Sequence, residues 1–378
     1  MFKLSELKRA LRRLGEVEQS RAERWPATGL TALYGLQSPS TPARIRDISA
    51  SGIYLFTEDR FPIGDLLTVT LLKQGELASS SDLQFSLQAR VSAHGEDGIA
   101  LAFVLPAGVH ADLWEVLLRN LVTLTDPVQV EETFRSIRIT LFLCRLAQAE
   151  AEQAILLLGG ELDAERTAAL FGIALAAERE LDSKPDGDRM RAHPKLLANI
   201  LREGSWAPDE LTRQLWAGLL AASCSADTPD DANQPLVELL VHVTPVEAKI
   251  FVLACQRALA STPGSENAPS GRVMVSPEEM VELTGFHDLS RAGTDVAYLF
   301  NLGLIEKVFD FTSYHELVSF DVTPSSLGLE LYKRCHGYRG KLDPHLVEVA
   351  QAHLANFIEQ PHLIDVPGPP PPPSTSGS

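Results

Sequence analysis

The stretch Arg44-Ile-Arg-Asp-Ile-Ser-Ala-Ser-Gly-Ile-Tyr-Leu-Phe56 decides the first fold of this chain. β-branched and aromatic residues, which are typical of strands, stand on both sides of a short polar segment. That segment, Ser49-Ala-Ser-Gly52, supplies a turn in which the glycine can take a positive φ. The stretch therefore predicts a strand, a tight corner and a second strand, with the oxygen atoms of Asp47 and Ser49 at the rim of a β-structure.

Three segments downstream have the spacing of strands in a small antiparallel barrel. They are Leu66 to Leu72, Leu83 to Val91 and Gly98 to Val104. The second and third alternate apolar and polar residues, and glycines separate the segments. Together with the corner they predict a barrel from about Ala22 to Pro106, followed by a helix from Ala111 to Leu124.

The pattern Asp47-x-Ser49-x-x-Gly52, followed by Ile53-x-Leu55, resembles a signature of the PilZ domain, the bacterial receptor module for cyclic di-GMP. The order of the strands is similar to that family as well. The resemblance implies that the corner helps to bind the dinucleotide. It also implies two arginines, in an Arg-x-x-x-Arg segment just before the first barrel strand, that hold the phosphates and guanine bases.

The segment before the barrel, Arg21-Ala-Glu-Arg-Trp-Pro-Ala27, departs from that arginine motif because its arginines are three residues apart. If its Trp-Pro pair is aligned with the family's aromatic-proline pair, the two motif positions fall on Glu23 and Ala27. A guanidinium binds phosphate with a planar fork and stacks on purines, whereas a carboxylate does neither. Either Arg21 and Arg24 bind the ligand although their spacing is one residue shorter than in the motif, or the barrel has kept its fold and no longer binds the ligand.

If Arg21 and Arg24 act as the two motif arginines, we predict a cyclic di-GMP site made of Arg21, Arg24, Arg44, Arg46, Asp47, Ser49 and Gly52. The pre-barrel arginines would hold phosphate and guanine, and the two arginines of the corner strand would add charge. The aspartate would accept hydrogen bonds from a guanine edge, and the serine with the backbone near the glycine would complete the cradle. No cofactor is predicted beside this ligand.

The composition is that of an ordinary soluble protein, and 378 residues predict two or three domains. A net charge of −17 disfavours general affinity for nucleic acid, which needs a basic face. The four cysteines lack a Cys-x-x-Cys pairing and are predicted to be reduced. Because no signal peptide opens the chain and no apolar stretch is long enough for a membrane span, a cytoplasmic location is expected.

The helical part that follows the barrel resembles a second family. Its motifs are His193-Pro-Lys-Leu-Leu197, Leu215-Trp-Ala-Gly-Leu-Leu220 and Thr244-Pro-Val-Glu-Ala248. They are similar to the Abi-alpha group of bacterial proteins, which is associated with abortive phage infection. These motifs concern packing, so the resemblance implies an architecture rather than an activity.

The end of that part resembles a winged helix. Helices are expected at Val246 to Leu259, Ser276 to Gly285 and Leu289 to Asn301, and strands at Lys307 to Thr312 and Leu317 to Val322. The third helix carries a single arginine, whereas a DNA-reading helix normally needs several basic or amide side chains. Contact with a protein, including a second copy of the chain, is therefore favoured over DNA binding.

The sequence thus predicts an α+β multidomain protein. Its parts are a basic amphipathic helix over residues 1–20, a PilZ-like barrel with its closing helix over 21–125, a helical domain over 126–234, a winged-helix-like domain over 235–340, a C-terminal helix over 341–362 and a disordered proline-rich tail over 363–378. No nucleophile elbow, Walker loop or zinc-protease motif is present, so the chain is not expected to be an enzyme.

The predicted function is a cyclic di-GMP receptor that passes ligand binding from the barrel to the helical domain and through it to a protein partner. An interaction protein whose barrel binds no nucleotide, related to phage defence, is the alternative. A winged-helix DNA-binding regulator is a weaker one.

Overall fold

The computed structural model describes residues 23–27, 29–36, 39–73, 83–106, 109, 111–123, 126–147, 164–184, 186–261, 271–306 and 319–359. The chain divides into two compact units, one of Met1–Trp206 with Ser223–Asp230 and one of Ala207–Ala222 with Asp231–Ser378. Several predictions lie outside the described residues: the N-terminal helix over 1–20, Arg21, the strand over 307–312 and the tail over 363–378. The predicted domain boundaries stay predictions.

The described residues of the first unit contain a closed antiparallel barrel of six strands, to which one short strand is added. The strands are β1 (Arg24–Trp25), β2 (Leu30–Gly35), β3 (Thr41–Ser49), β4 (Gly52–Phe56), β5 (Leu66–Lys73), β6 (Gln84–His94) and β7 (Gly98–Val104). Their order is β3-β2-β5-β6-β7-β4, and the pairing of β4 with β3 closes the ring. The predicted barrel is confirmed.

The barrel strands form because their apolar residues alternate with polar ones. In β6 the buried positions are Phe85, Leu87, Ala89 and Val91, and the residues between them face outward. Side chains in a strand point to opposite faces in turn, so this pattern puts one face in the core. A closed ring also leaves few unpaired strand edges.

Helices of the first unit follow the barrel. They are α1 (Ala111–Thr123), α2 (Pro127–Ala147), α3 (Ala164–Asp182) and α4 (Pro194–Gly204), and a short strand β8 (Arg191–Ala192) pairs with β9 (Cys224–Ser225). Trp114 of α1 is fully buried, and its ring centroid lies 6.1 Å from that of Phe85 and 5.6 Å from that of Phe103, both edge-on. Such aromatic contacts fix α1 on the barrel.

The second unit is helical. Its elements are α5 (Glu210–Ala222), α6 (Gln234–Val241), α7 (Pro245–Ser261), β10 (Met274–Val275), α8 (Pro277–Thr284), α9 (Leu289–Asn301), β11 (Phe320–Asp321), α10 (Ser326–Arg334) and α11 (Pro344–Glu359). β10, between the first and second helices of the predicted winged helix, pairs antiparallel with β11. Residues 307–318 lie outside the described part, so the wing stays a prediction.

The predicted start of α8 is confirmed in detail. Ser276 accepts a hydrogen bond from the backbone N–H of Glu279, Pro277 is the first helical residue, and Gly285 ends the helix with a φ of 74°. Serine at the N-cap and glycine after the C-terminus satisfy backbone groups that a helix leaves free. No helix among the described residues is long and apolar enough to cross a membrane.

Candidate functional site

The corner between β3 and β4 is a tight hairpin turn. Ser49 ends β3 and is paired with Gly52, which begins β4. The Ser49 hydroxyl is almost fully buried, donates to the Gly52 carbonyl oxygen at 3.3 Å and lies 3.2 Å from the Ser51 Oγ. The serine is therefore used within the turn, and it holds the two strands in register.

Gly52 is required for a reason other than the predicted one. The glycines with positive φ among the described residues are Gly29, Gly64, Gly285, Gly303 and Gly337, so Gly52 does not use the positive φ that a glycine allows. In its place, a Cβ atom at position 52 would overlap the carbonyl oxygen of Leu101 on β7. The residue is small because the backbones of β4 and β7 approach closely.

Two arginines converge on the carboxylate of Asp47. Arg24 Nη1 donates to Asp47 Oδ1 at 3.1 Å, and Arg46 Nε donates to Asp47 Oδ2 at 2.7 Å. The side chains of Arg24 and Arg46 are 65% and 41% exposed, and that of Asp47 is 23% exposed. The arginines come from different strands, so the paired guanidiniums are a product of the fold and not of one sequence motif.

The orientation of Arg24 follows from strand alternation in β1. Arg24 lies opposite Ser49, and its neighbour Trp25 is buried, at 8% exposure. Since successive side chains point to opposite faces, burial of the tryptophan directs the arginine outward to the corner. Glu23 pairs with Arg119 of α1, at 3.6 Å between Oε2 and Nη2.

Arg46 occupies a β-bulge. β3 and β4 are paired at Ile45 with Leu55 and at Asp47 with Tyr54, so Arg46 is the extra residue. Its guanidinium carbon lies 3.4 Å from the ring centroid of Tyr54. A bulge re-aims the side chain that it carries, and here it places the guanidinium over the ring of a tyrosine.

Hydrogen bonds fix the protonation of this pair. The bond to Asp47 raises the pKa of Arg46, which keeps the guanidinium charged. The Tyr54 hydroxyl donates to Asp97 Oδ1 at 2.7 Å, and this bond raises the pKa of Tyr54, so the ring stays neutral. The result is a charged, planar group with one face on an aromatic ring.

The structure thus brings five of the seven predicted site residues together: Arg24, Arg46, Asp47, Ser49 and Gly52. Arg44 lies on the same strand with its guanidinium 5.9 Å from the Phe56 ring centroid, and among the contacts of the described residues none joins it to the aspartate. Sequence reasoning missed Tyr54, Asp97 and Arg119. Tyr54 lies inside the stretch 44–56, but its role depends on the bulge at Arg46, for which the sequence carries no recognisable signal.

The third helix of the predicted winged helix, α9, offers little for DNA. Its one arginine, Arg291, has its guanidinium carbon 3.8 Å from the ring centroid of Phe286. Asp295, on the same helix, is acidic and half-buried. Phosphate contacts need several free basic groups, and this helix does not supply them.

Comparison with protein families gives two matches. Residues 18–122 match the PilZ domain, and residues 169–335 match the family described as abortive infection alpha. Both agree with the resemblances drawn from the sequence. The first suggests cyclic di-GMP binding and signalling, and the second suggests a relation to phage defence. No curated protein matches the chain.

Proposed function

We propose that the chain is a non-enzymatic cyclic di-GMP receptor, in which the barrel binds the dinucleotide and the helical part passes the signal to a protein partner. The convergence of Arg24 and Arg46 on Asp47 carries the proposal. It supplies two guanidiniums and one carboxylate on an exposed rim. A cyclic dinucleotide presents the complementary groups, which are anionic phosphates and guanine edges rich in donors.

Arg24 is the phosphate-binding group in this proposal. Its ion pair with Asp47 is solvent-exposed, and such pairs contribute at most about 1 kcal/mol. A phosphate can therefore replace the carboxylate as the partner of Arg24 and bind it with two parallel hydrogen bonds. Release of Asp47 Oδ1 would free that oxygen to accept from a guanine N–H.

Arg46 is the stacking group. One face of its guanidinium lies on Tyr54, and its Nε is held by Asp47. The side chain is 41% exposed, so its remaining surface is open to a purine ring. Arg46 would thus act as a guanine-stacking arginine beside the arginines of the pre-barrel segment. The turn that Ser49 and Gly52 form would shape the cradle, while the buried Ser49 hydroxyl stays bonded within the turn, and Arg44 would add positive charge.

Signal transfer would follow from ordering of the segment before the barrel. Ligand bound at Arg24 favours the paired state of β1, and a disorder-to-order change of this kind can reposition neighbouring elements. The output would be a protein contact of the helical part. A cytoplasmic location suits a receptor for an intracellular second messenger.

Calorimetric titration with cyclic di-GMP at physiological salt, with cyclic di-AMP as control, tests the proposal. We expect saturable binding in the micromolar range or tighter, weakened about tenfold or more in Arg24→Ala. Arg202→Ala is the matched control, because Arg202 pairs with Glu203 on α4. Absence of heat and of thermal stabilisation at high ligand concentration would overturn the proposal.

A second candidate is an interaction protein whose barrel binds no nucleotide. The observation in its favour is that Glu23 occupies one of the aligned arginine positions and pairs with Arg119. A barrel that satisfies its own charges in this way needs no ligand. A wild-type chain that binds neither dinucleotide, yet captures a defined partner through the helical part, would favour this candidate.

A further inference from the structure

We infer that Arg119 of α1 is a positioning residue for the arginine site: it holds β1 so that Arg24 faces Asp47, and it couples α1 to occupancy of that site. The inference rests on the proposed function where it concerns the ligand. Its structural part stands on contacts between α1 and the residues before the barrel. Arg119 itself is expected to make no contact with the dinucleotide.

Three contacts of one guanidinium support this role. Arg119 Nη2 lies 2.6 Å from Glu115 Oε1, one helical turn earlier, and 3.6 Å from Glu23 Oε2. Its guanidinium carbon lies 5.7 Å from the ring centroid of Trp25. Glu115 orients the guanidinium from within the helix, so the other two contacts clamp the segment on either side of Arg24.

The clamp matters because β1 has little else to hold it. It consists of two residues, paired with the last two residues of β3. Each residue that is ordered costs about 1–2 kcal/mol of backbone entropy, so a strand this short needs side-chain anchors. Trp25 is the anchor, and Arg119 covers its ring through a cation–π contact. Loss of that contact would let Arg24 sample positions away from Asp47.

Coupling to α1 follows by linkage. The apolar face of α1 is buried through Trp114, Leu117, Leu118 and Leu121, so the helix is fixed to the barrel. A ligand that favours the docked state of β1 must also favour the contacts of Arg119, and the reverse holds equally. Arg119 is therefore the point at which α1 can respond to the site.

The experiment compares Arg119→Met, which keeps an unbranched apolar stem, with Arg119→Lys, which keeps the charge. Two measurements are made on the full chain: hydrogen exchange of the amides of residues 23–25, and titration with cyclic di-GMP. We expect Arg119→Met to speed exchange at these amides and to weaken binding about tenfold. Arg119→Lys should restore part of the slow amide exchange and part of the affinity. Arg135→Met is the control, since Arg135 pairs within α2 with Glu131.

The outcomes separate this inference from the proposed function. Wild-type binding with unchanged affinity in Arg119→Met would overturn the inference and leave the receptor intact. No binding of cyclic di-GMP by the wild type would overturn the proposed receptor function. Hydrogen exchange at residues 23–25 would then test only the claim that Arg119 holds β1 in place. Equal exchange in Arg119→Met and Arg135→Met would refute that claim.

Discussion

At the scale of single residues, the site depends on a carboxylate that has two cationic partners. Asp47 is bonded to Arg24 and Arg46 through different oxygens, and both arginines are partly exposed. Exposed ion pairs exchange partners at little cost. The ion pairs that order Arg24 and Arg46 without ligand can therefore be replaced by ion pairs with an anionic ligand.

Substitutions of Arg46 test whether the planarity of its guanidinium or only its charge contributes to ligand binding. Arg46→Lys keeps the charge but cannot lie flat on Tyr54 and under a purine at once. We expect it to weaken cyclic di-GMP binding about tenfold, nearly as much as Arg46→Ala. Titration of the two variants against the wild type measures this. In Tyr54→Phe the ring is kept and the affinity should change little, and a lysine variant with wild-type affinity would exclude stacking.

Gly52 tests the steric argument at the corner. Its missing Cβ would overlap the Leu101 carbonyl oxygen, which is backbone and cannot rotate away. Gly52→Ala should therefore lower the free energy of unfolding by about 1–3 kcal/mol, as overpacking does. Gly271→Ala is the matched control, since a Cβ there meets nothing within 4 Å. Chemical denaturation measures both, and equal stability of the two variants would contradict the argument.

At the scale of elements, local patterns predicted the corner strands, the three barrel strands that follow them and the start of α8, whereas β1 and β2 were not singled out. Three features depend only on residues that are close together in the sequence: the alternation in β6, the Ser-Gly corner and the capping residues of α8. All three are found where they were expected. The bulge at Arg46 was missed because it depends on the register of β3 against β4, which pairs residues from both strands. The role of Arg119 was missed because α1 lies far along the chain from β1.

The first turn of α7 carries a buried acid. Thr244 N–H donates to Glu247 Oε2 at 2.7 Å, and Glu247 N–H donates to Thr244 Oγ1 at 3.4 Å, which is a capping box. Glu247 is only 4% exposed, and burial, with a contribution from Asp295, raises its pKa to about 7. The neutral carboxyl is therefore the form that the folded state favours.

A pH dependence of stability follows from that pKa. Because the folded pKa exceeds the ordinary value of 4.5, the contribution of Glu247 is complete below 4.5 and is lost as the pH rises to about 7. Glu247→Gln should remove this loss, which is on the order of 3 kcal/mol, and keep the capping box. Denaturation of both proteins from pH 5 to 8 measures it. Glu282→Gln, on the exposed side of α8, should keep the wild-type slope.

At the scale of the whole molecule, the site gathers arginines, two of them paired with Asp47, on an acidic protein. The chain has a net charge of −17, whereas Arg24, Arg44 and Arg46 are concentrated at one corner of the barrel. An anionic dinucleotide is repelled by the distant charges and attracted by the near ones. Salt screens exposed charges beyond about 10 Å at 0.1 M, so it weakens the repulsion as well as the attraction.

These opposed effects give a prediction for the salt dependence of binding. In the wild type the dissociation constant should change by less than about threefold between 0.05 and 0.5 M salt, because the two effects offset each other. In Arg24→Ala one near cation is lost and repulsion dominates, so its weaker binding should tighten as salt increases. Titrations across that range measure both slopes. A steep loss of wild-type affinity with salt, of the kind seen when many phosphate contacts are made, would show that the acidic remainder of the chain has no influence on the site.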